Sequence, residues 1–161
     1  MVKRILQITA LVLFLGFVAI QFIRPDFTNP PINPAETLES STQVPENVEK
    51  ILTRSCNDCH TNATIYPWYS KIQPSAFFLK GHIDEGRGRL NFSTWNTNDA
   101  GKKRRKLGQV CEQIQSKEMP LPSYLWVHWD AKLSDEDIKI ICGWTEAERA
   151  KLDAAETPTA K

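Results

Sequence analysis

The first apolar segment of the chain covers residues 5–23 and contains no charged residue. Lys3 and Arg4 precede this segment, and Arg24 follows it. A helix of about 20 apolar residues spans the hydrocarbon core of a bilayer, so the pattern predicts an N-terminal transmembrane helix. A cleaved signal peptide, whose apolar region is usually about 7–15 residues long, stays open as the alternative. Lys3 and Arg4 favour the cytoplasmic side, which predicts a single-pass protein of the inner membrane with the rest of the chain in the periplasm.

Beyond a proline-rich stretch, apolar residues recur at helical spacing. Val44, Val48, Ile51 and Leu52 fall on one face of a predicted helix that runs into Cys56. Three further helices are predicted: over residues 75–85, over residues 99–117, and from residue 134 onward. No stretch alternates as a strand would, so the predicted fold class is all-α.

Residue types at the helix ends support these bounds. Gly86 and Gly88 predict the end of the second helix. Ser134, followed three residues later by Asp137, resembles a capping box at the start of the last one. The loops between these helices are long for a small domain, which indicates that a bound group orders them.

The charge balance narrows the classes of partner. Charged residues make up 24% of the chain, and the formal net charge is only +1. Proteins that bind nucleic acid usually carry a dominant basic surface. We therefore expect no nucleic-acid partner.

The residues most indicative of a specific chemistry are Cys56-Asn57-Asp58-Cys59-His60, which we term the attachment motif. Cys-x-x-Cys-His is the attachment signature of c-type haem. The two thiols form thioethers with the haem vinyl groups, and the histidine supplies an axial nitrogen to the iron. The motif predicts one covalently bound haem c, held by Cys56, Cys59 and His60.

Two other chemistries use a Cys-x-x-Cys pair. A thioredoxin-like redox site requires a βαβ context, which the pattern lacks. A structural zinc site requires two further ligands at suitable spacing. Cys111 and Cys142 lie too far apart in sequence to supply a second Cys-x-x-Cys. They are expected either to form a disulfide in an oxidising compartment or to remain buried thiols.

The second axial ligand of the iron is predicted to be Met119. Apart from Met1 it is the chain's only methionine, and Pro120 and Pro122 stiffen the loop that carries it. Methionine opposite histidine is one known haem ligation and raises the reduction potential. His82, His128 and an open coordination site remain the alternatives.

Several stretches resemble a family of short bacterial membrane proteins described as haem-binding domains. They are Cys59-His60-Thr61-Asn62, Tyr66-Pro67-Trp68-Tyr69, His82-Ile83, Leu90-Asn91-Phe92-Ser93 and Glu118-Met119-Pro120-Leu121. The order of helices and motifs also resembles a class I, monohaem cytochrome c. That resemblance implies a cytochrome c-like helical domain around one haem, in which the first and last helices of the domain pack together.

The chain departs from the class I pattern at one position. The usual Gly-Pro pair after the haem site is absent, which leaves open the carbonyl that accepts the His60 Nδ1 proton. Pro67 or Pro74 is the expected substitute.

These observations predict four segments: a membrane anchor or uncleaved signal over residues 1–24, a proline-rich linker over 25–44, a c-type haem domain over 45–152 and a flexible tail over 153–161. The linker is expected to be an extended tether that holds the domain off the membrane. We expect an electron-transfer protein, not an enzyme, with the membrane and a redox protein as partners. The alternative function is a haem-based sensor or ligand-binding module with a labile distal ligand.

Overall fold

The computed structural model describes residues 1–156, and all regular secondary structure in that range is helical, with no strand. The all-α prediction is therefore confirmed. The α-helices are α1 (Val2–Ile20), α2 (Glu46–Ser55), α3 (Asn57–His60), α4 (Ser75–Arg89), α5 (Ala100–Gln115), α6 (Pro122–Leu125) and α7 (Asp135–Glu156). Short 3-10 helices cover Pro34–Glu36, Trp68–Lys71, Phe92–Thr97 and Trp129–Ala131.

The core lies where α2, α5 and α7 meet. Each helix turns an apolar face inward because its apolar residues recur every three or four positions. α7 packs along α5 and also contacts α2, as the resemblance to cytochrome c implies for the first and last helices of the domain. The buried core residues are Leu38, Val48, Ile51, Leu52, Phe92, Trp95, Leu107, Ile114, Ile141 and Trp144.

The last helix begins at the predicted capping box. The Ser134 hydroxyl accepts the Asp137 N–H at 3.1 Å, and the Asp137 carboxylate accepts the Ser134 N–H at 2.9 Å. Arg54 of α2 also donates to this carboxylate at 2.9 Å, which ties the start of α7 to the helix that precedes the attachment motif. α7 continues to Glu156, so residues 153–156 of the predicted tail are helical. The rest of that tail lies outside the described residues.

A disulfide joins Cys111 of α5 to Cys142 of α7. The sequence left open whether these cysteines are paired, and the structure favours the bridge over two buried thiols. Their Cα atoms lie 4.9 Å apart, within the range that an S–S bond spans. The bridge fastens the two longest helices of the domain at its core.

Removing this bridge is expected to destabilise the domain strongly. Because the crosslink closes a segment with a sequence separation of 31, chain entropy predicts a loss of about 3–4 kcal/mol in the free energy of unfolding. Urea denaturation of Cys111→Ala/Cys142→Ala beside the wild type measures this loss. Intact mass with and without reductant provides the check, since a wild-type mass that reductant leaves unchanged would contradict the bridge.

The proline-rich segment 25–44 lies on the domain and is not a free tether. Leu38 is 1% exposed within the core, and its N–H donates to the Phe92 carbonyl at 2.8 Å. The Asn29 amide donates to the Thr64 carbonyl at 3.0 Å and accepts from Arg87 at 2.7 Å. The tether interpretation is thus wrong, because composition predicted the stiffness of the segment but not the contacts that hold it down.

α1 is long and apolar enough to cross a membrane, and none of its residues is buried in the protein. A signal sequence near an N-terminus can meet the same criteria of length and composition. The helix ends at Ile20, three residues before the end of the uncharged run. Gln21 then pairs with Gln73 of the domain through two hydrogen bonds.

Candidate functional site

The attachment motif lies at the junction of α2 and α3. α2 ends at Ser55, and Cys56 is the link between the two helices. The Cys56 carbonyl accepts the N–H of His60 at 3.0 Å and that of Cys59 at 3.2 Å. One turn of helix therefore places Cys56, Cys59 and His60 together, as the sequence predicted.

The two motif cysteines are unpaired thiols although they lie one helical turn apart. Burial raises the pKa of Cys56 to about 12 and that of Cys59 to about 11. Reactive redox cysteines have a lowered pKa, so these thiols differ from a thioredoxin-like pair. Residues 1–156 contain no group of three or more His, Cys, Asp or Glu side chains arranged to hold a metal ion.

His60 is held in one orientation by the backbone of α4 and its C-cap. Its Nδ1 lies 2.9 Å from the Leu90 carbonyl and 3.1 Å from the Gly86 carbonyl. Because carbonyls only accept, Nδ1 carries the proton and Nε2 presents a lone pair. Burial lowers the pKa of His60, although the two carbonyls act in the opposite direction. The imidazole is thus oriented as a neutral Nε2 ligand.

The carbonyls that hold His60 correct the expectation from sequence. Pro67 or Pro74 was the expected substitute for the missing Gly-Pro pair, but the carbonyls of Gly86 and Leu90 take this role. The sequence predicted that the helix ends at Gly86 and Gly88, whereas α4 continues through both glycines to Arg89. Packing against the motif outweighs the low helix propensity of glycine there.

Gly86 allows α4 to touch the attachment motif. A Cβ atom at this position would lie 2.8 Å from the Cys59 carbonyl oxygen and 3.3 Å from the Cys59 Cβ. The first of these contacts is closer than atoms tolerate, and it involves backbone that cannot rotate away. Only glycine therefore permits the approach that brings the α4 carbonyls to His60.

Gly86→Ala is expected to lower the free energy of unfolding by about 1–3 kcal/mol, since overpacking forces the backbones apart. Gly88→Ala is the matched control in the same helix. An added Cβ there meets nothing within 4 Å, so the higher helix propensity of alanine should stabilise by about 0.5–1 kcal/mol. Thermal unfolding of both variants measures the contrast, and equal shifts would contradict the close approach.

Met119 lies in the loop between α5 and α6, as predicted. Lys117, with φ of 61°, ends the helical path of α5 and turns the chain. The Met119 N–H then donates to the Gln113 carbonyl at 3.1 Å. The side chain is half-buried and packs against the same core as Cys56.

A hydrogen bond joins the chain that follows Met119 to the attachment motif. The Tyr124 hydroxyl donates to the Asp58 carboxylate at 2.7 Å. Burial, and then this bond to the carboxylate, raise the pKa of Tyr124, so the phenol keeps its proton at neutral pH. Sequence reasoning missed both residues, since Asp58 is a variable position of the motif and Tyr124 lies on no periodic stripe.

The two rival histidines lie on different elements of the fold. His82 lies on α4, the helix whose Gly86 carbonyl accepts the His60 Nδ1 proton. His128 stacks on Tyr124, with ring centroids 4.2 Å apart. Its Nε2 is 2.8 Å from the Tyr69 hydroxyl.

The chain matches the family model described as "Haem-binding domain" over residues 15–147. The chain belongs to this family of haem-binding domains. The family membership inferred from the motifs is thus confirmed, whereas the likeness to class I cytochrome c stays a prediction. No curated protein and no solved structure matches the chain at a significant level.

The residues of this haem-binding domain fit haem at the attachment motif. Two unpaired thiols stand beside an imidazole whose Nε2 has no protein partner among the described hydrogen bonds. Trp126 and Trp129 stand close to His128 in the chain and are 82% and 80% exposed, so their aromatic surfaces are uncovered. Such surfaces suit a flat, largely apolar group.

Proposed function

We propose that this haem-binding domain is a membrane-tethered monohaem cytochrome that transfers electrons, with one haem c bound through Cys56 and Cys59. His60 and Met119 are the axial ligands in this proposal. The observation that carries it is the setting of His60: Nδ1 is committed to two carbonyls, while Nε2 points away from them beside two unpaired thiols. Bound haem supplies the ferric/ferrous couple.

The contrast between the two cysteine pairs supports covalent attachment. Cys111 and Cys142 are oxidised to a disulfide, whereas Cys56 and Cys59 remain thiols in the same fold. A pair reserved for thioether formation must escape disulfide formation until haem arrives. Burial, which keeps both thiols protonated, slows their oxidation because the thiolate is the reactive form.

The arrangement of the rival ligands favours Met119 opposite His60. The Nδ1 edge of His60 faces the Gly86 and Leu90 carbonyls, so Nε2, the atom that would bind iron, is at the opposite edge of the ring. The His82 ring packs edge-on against Phe78 of the same helix, with ring centroids 4.2 Å apart. His128 is engaged by Tyr69 and Tyr124. The Met119 thioether could bind iron without breaking a side-chain hydrogen bond. The segment that follows Met119 is joined to the motif by the hydrogen bond from Tyr124 to Asp58.

Electron transfer, and not catalysis, follows from filled axial positions. With His60 and Met119 both bound, no coordination position remains for a substrate. The protein then contributes orientation, burial and axial ligands, which set the reduction potential. A redox protein that docks near the attachment motif is the proposed partner.

The proposed location is the periplasmic side of the inner membrane, with α1 as the retained anchor. Lys3 and Arg4 before the apolar helix favour this orientation. The Cys111–Cys142 disulfide fits an oxidising compartment. The periplasm is also where bacteria attach c-type haem.

Spectroscopy of the full chain, purified with its haem, tests the function. We expect a reversible one-electron redox titration and a ferrous form that binds carbon monoxide slowly, because Met119 occupies the sixth position. Rapid carbon monoxide binding would contradict the pure carrier and support the sensor, in which Met119 is labile. Haem that acid-acetone extracts from the wild type would contradict the covalent bond.

A further inference from the structure

The end of α1 is fastened to the domain by the side chains of two glutamines, Gln21 and Gln73, each of which bonds the backbone of the other segment. The Gln73 N–H donates to the Gln21 side-chain oxygen at 3.0 Å, and the Gln21 amide donates to the Gln73 carbonyl at 3.2 Å. The Gln73 amide also donates to the Ile23 carbonyl at 2.7 Å. Gln73 is 2% exposed. The start of α4 is therefore held at the level where α1 would leave a bilayer.

Large apolar side chains on both partners of this junction are exposed. We define the junction patch as five residues that flank Gln21 and Gln73 in the chain or begin α4: Phe22, Ile23, Ile72, Phe77 and Phe78. The exposed fraction of each ranges from 40% to 84%. Clustered exposed apolar side chains of this size mark a contact surface.

The solvent-facing side of α4 changes from apolar to charged residues with increasing distance from the junction. Its inner face buries Ala76, Leu79, Ile83 and Gly86. The opposite face carries Phe77 and Phe78 in the first turn, then Gly81, and then Asp84, Glu85 and Gly88. At 1.5 Å per residue, Gly88 is about 15 Å from Phe78 along the helix. The apolar part of this face thus ends within about two turns of the anchor.

Basic side chains accompany the junction patch. Arg24 follows Ile23, Lys71 precedes Ile72, and both are exposed. Lysine and arginine at a membrane surface are attracted by anionic headgroups. Aromatic and aliphatic residues with basic neighbours form the usual composition of a surface that lies in the lipid interface.

We propose that the junction patch lies in the lipid interface, so that the haem-binding domain rests on the outer surface of the inner membrane in one orientation. This inference rests on the proposed role of α1 as a retained anchor. Lipid is the occupant because the patch is continuous with the lipid-exposed end of α1, and Gln21 and Gln73 hold the two together. The far end of α4, whose outer face carries the ion-paired Asp84 and Glu85, points away from the bilayer.

Photocrosslinking of the full, haem-loaded chain in nanodiscs of phosphatidylethanolamine and phosphatidylglycerol tests this placement. Single cysteines are introduced as Phe78→Cys, Gly81→Cys and Gly88→Cys, and benzophenone maleimide is attached to each. The three positions share the outer face of α4, and an added Cβ at Gly81 or Gly88 meets no atom within 4 Å. The chain without an introduced cysteine provides the labelling blank.

The expected result is a gradient of lipid adducts along α4. Interfacial side chains reach only about 5–10 Å into the boundary, so the yield at residue 78 should exceed that at residue 88 by about fivefold or more. Residue 81 should give an intermediate yield. Adding Gln21→Ala to Phe78→Cys should reduce the lipid yield, because it removes the side chain that holds the junction.

The contrary outcomes separate the two proposals. Equal yields at residues 78 and 88 in protein that stays in the nanodisc would overturn the placement but leave the anchor intact. Crosslinked protein dimers in place of lipid adducts at residue 78 would overturn lipid as the occupant. A chain that fails to enter nanodiscs would overturn the anchor and, with it, this inference.

Discussion

Cys56→Ala/Cys59→Ala, expressed with a c-type maturation system, is expected to yield a chain without covalent haem. Without the two thiols no thioether forms, and His60 alone cannot retain haem once the protein is denatured. Acid-acetone extraction followed by haem staining of a denaturing gel measures the result. The wild-type chain should stain fully and the double variant not at all.

The matched control removes the other two cysteines. Cys111→Ala/Cys142→Ala loses the disulfide between α5 and α7 but keeps the attachment motif. It should be less stable, yet its haem should stay bound through acid-acetone extraction. Equal haem loss from both double variants would mean that the effect reports stability and not attachment.

Met119→Ala is expected to produce the largest change in redox properties. Loss of the thioether ligand should abolish the weak charge-transfer band at the red end of the ferric spectrum. The midpoint potential should fall by about 0.1 V or more, well within the roughly 0.8 V that axial ligands span. Carbon monoxide should also bind the ferrous form much faster, because the sixth position opens.

His82→Ala and His128→Ala are the controls for this assignment. Each removes a rival ligand but leaves Met119 in place, so both should keep the charge-transfer band. A Met119→Ala protein that retains the band would contradict methionine ligation. Loss of the band only in His128→Ala would instead assign the distal side to that histidine.

The features that could be predicted from the sequence are those that depend on residues a few positions apart in the chain. The helices follow from apolar spacing, and the capping box at Ser134 appears because its two residues stand three positions apart. The attachment motif is equally local, since one turn of helix brings Cys56, Cys59 and His60 together. Each of these features requires only neighbouring residues and the geometry of a helix.

The features that sequence missed depend on contacts between distant segments. The Leu90 carbonyl reaches His60 across 30 positions, and Tyr124 reaches Asp58 across 66. Gly86 was taken as a helix breaker because propensity describes an isolated helix, whereas its role is to let α4 approach Cys59. Leu38 appeared to belong to a loose linker because one apolar residue among prolines carries no periodicity.

The docked course of residues 25–44 limits how this protein can meet its partner. Pulling the segment free would expose Leu38, which costs roughly 1.5–3 kcal/mol for a fully buried leucine. In the proposed carrier, the docked segment therefore restricts how far the haem domain can move away from the membrane surface. If the proposed anchoring holds, the protein would meet its partner by lateral diffusion, and we would expect that partner to offer its redox centre within a narrow range of heights above the lipid.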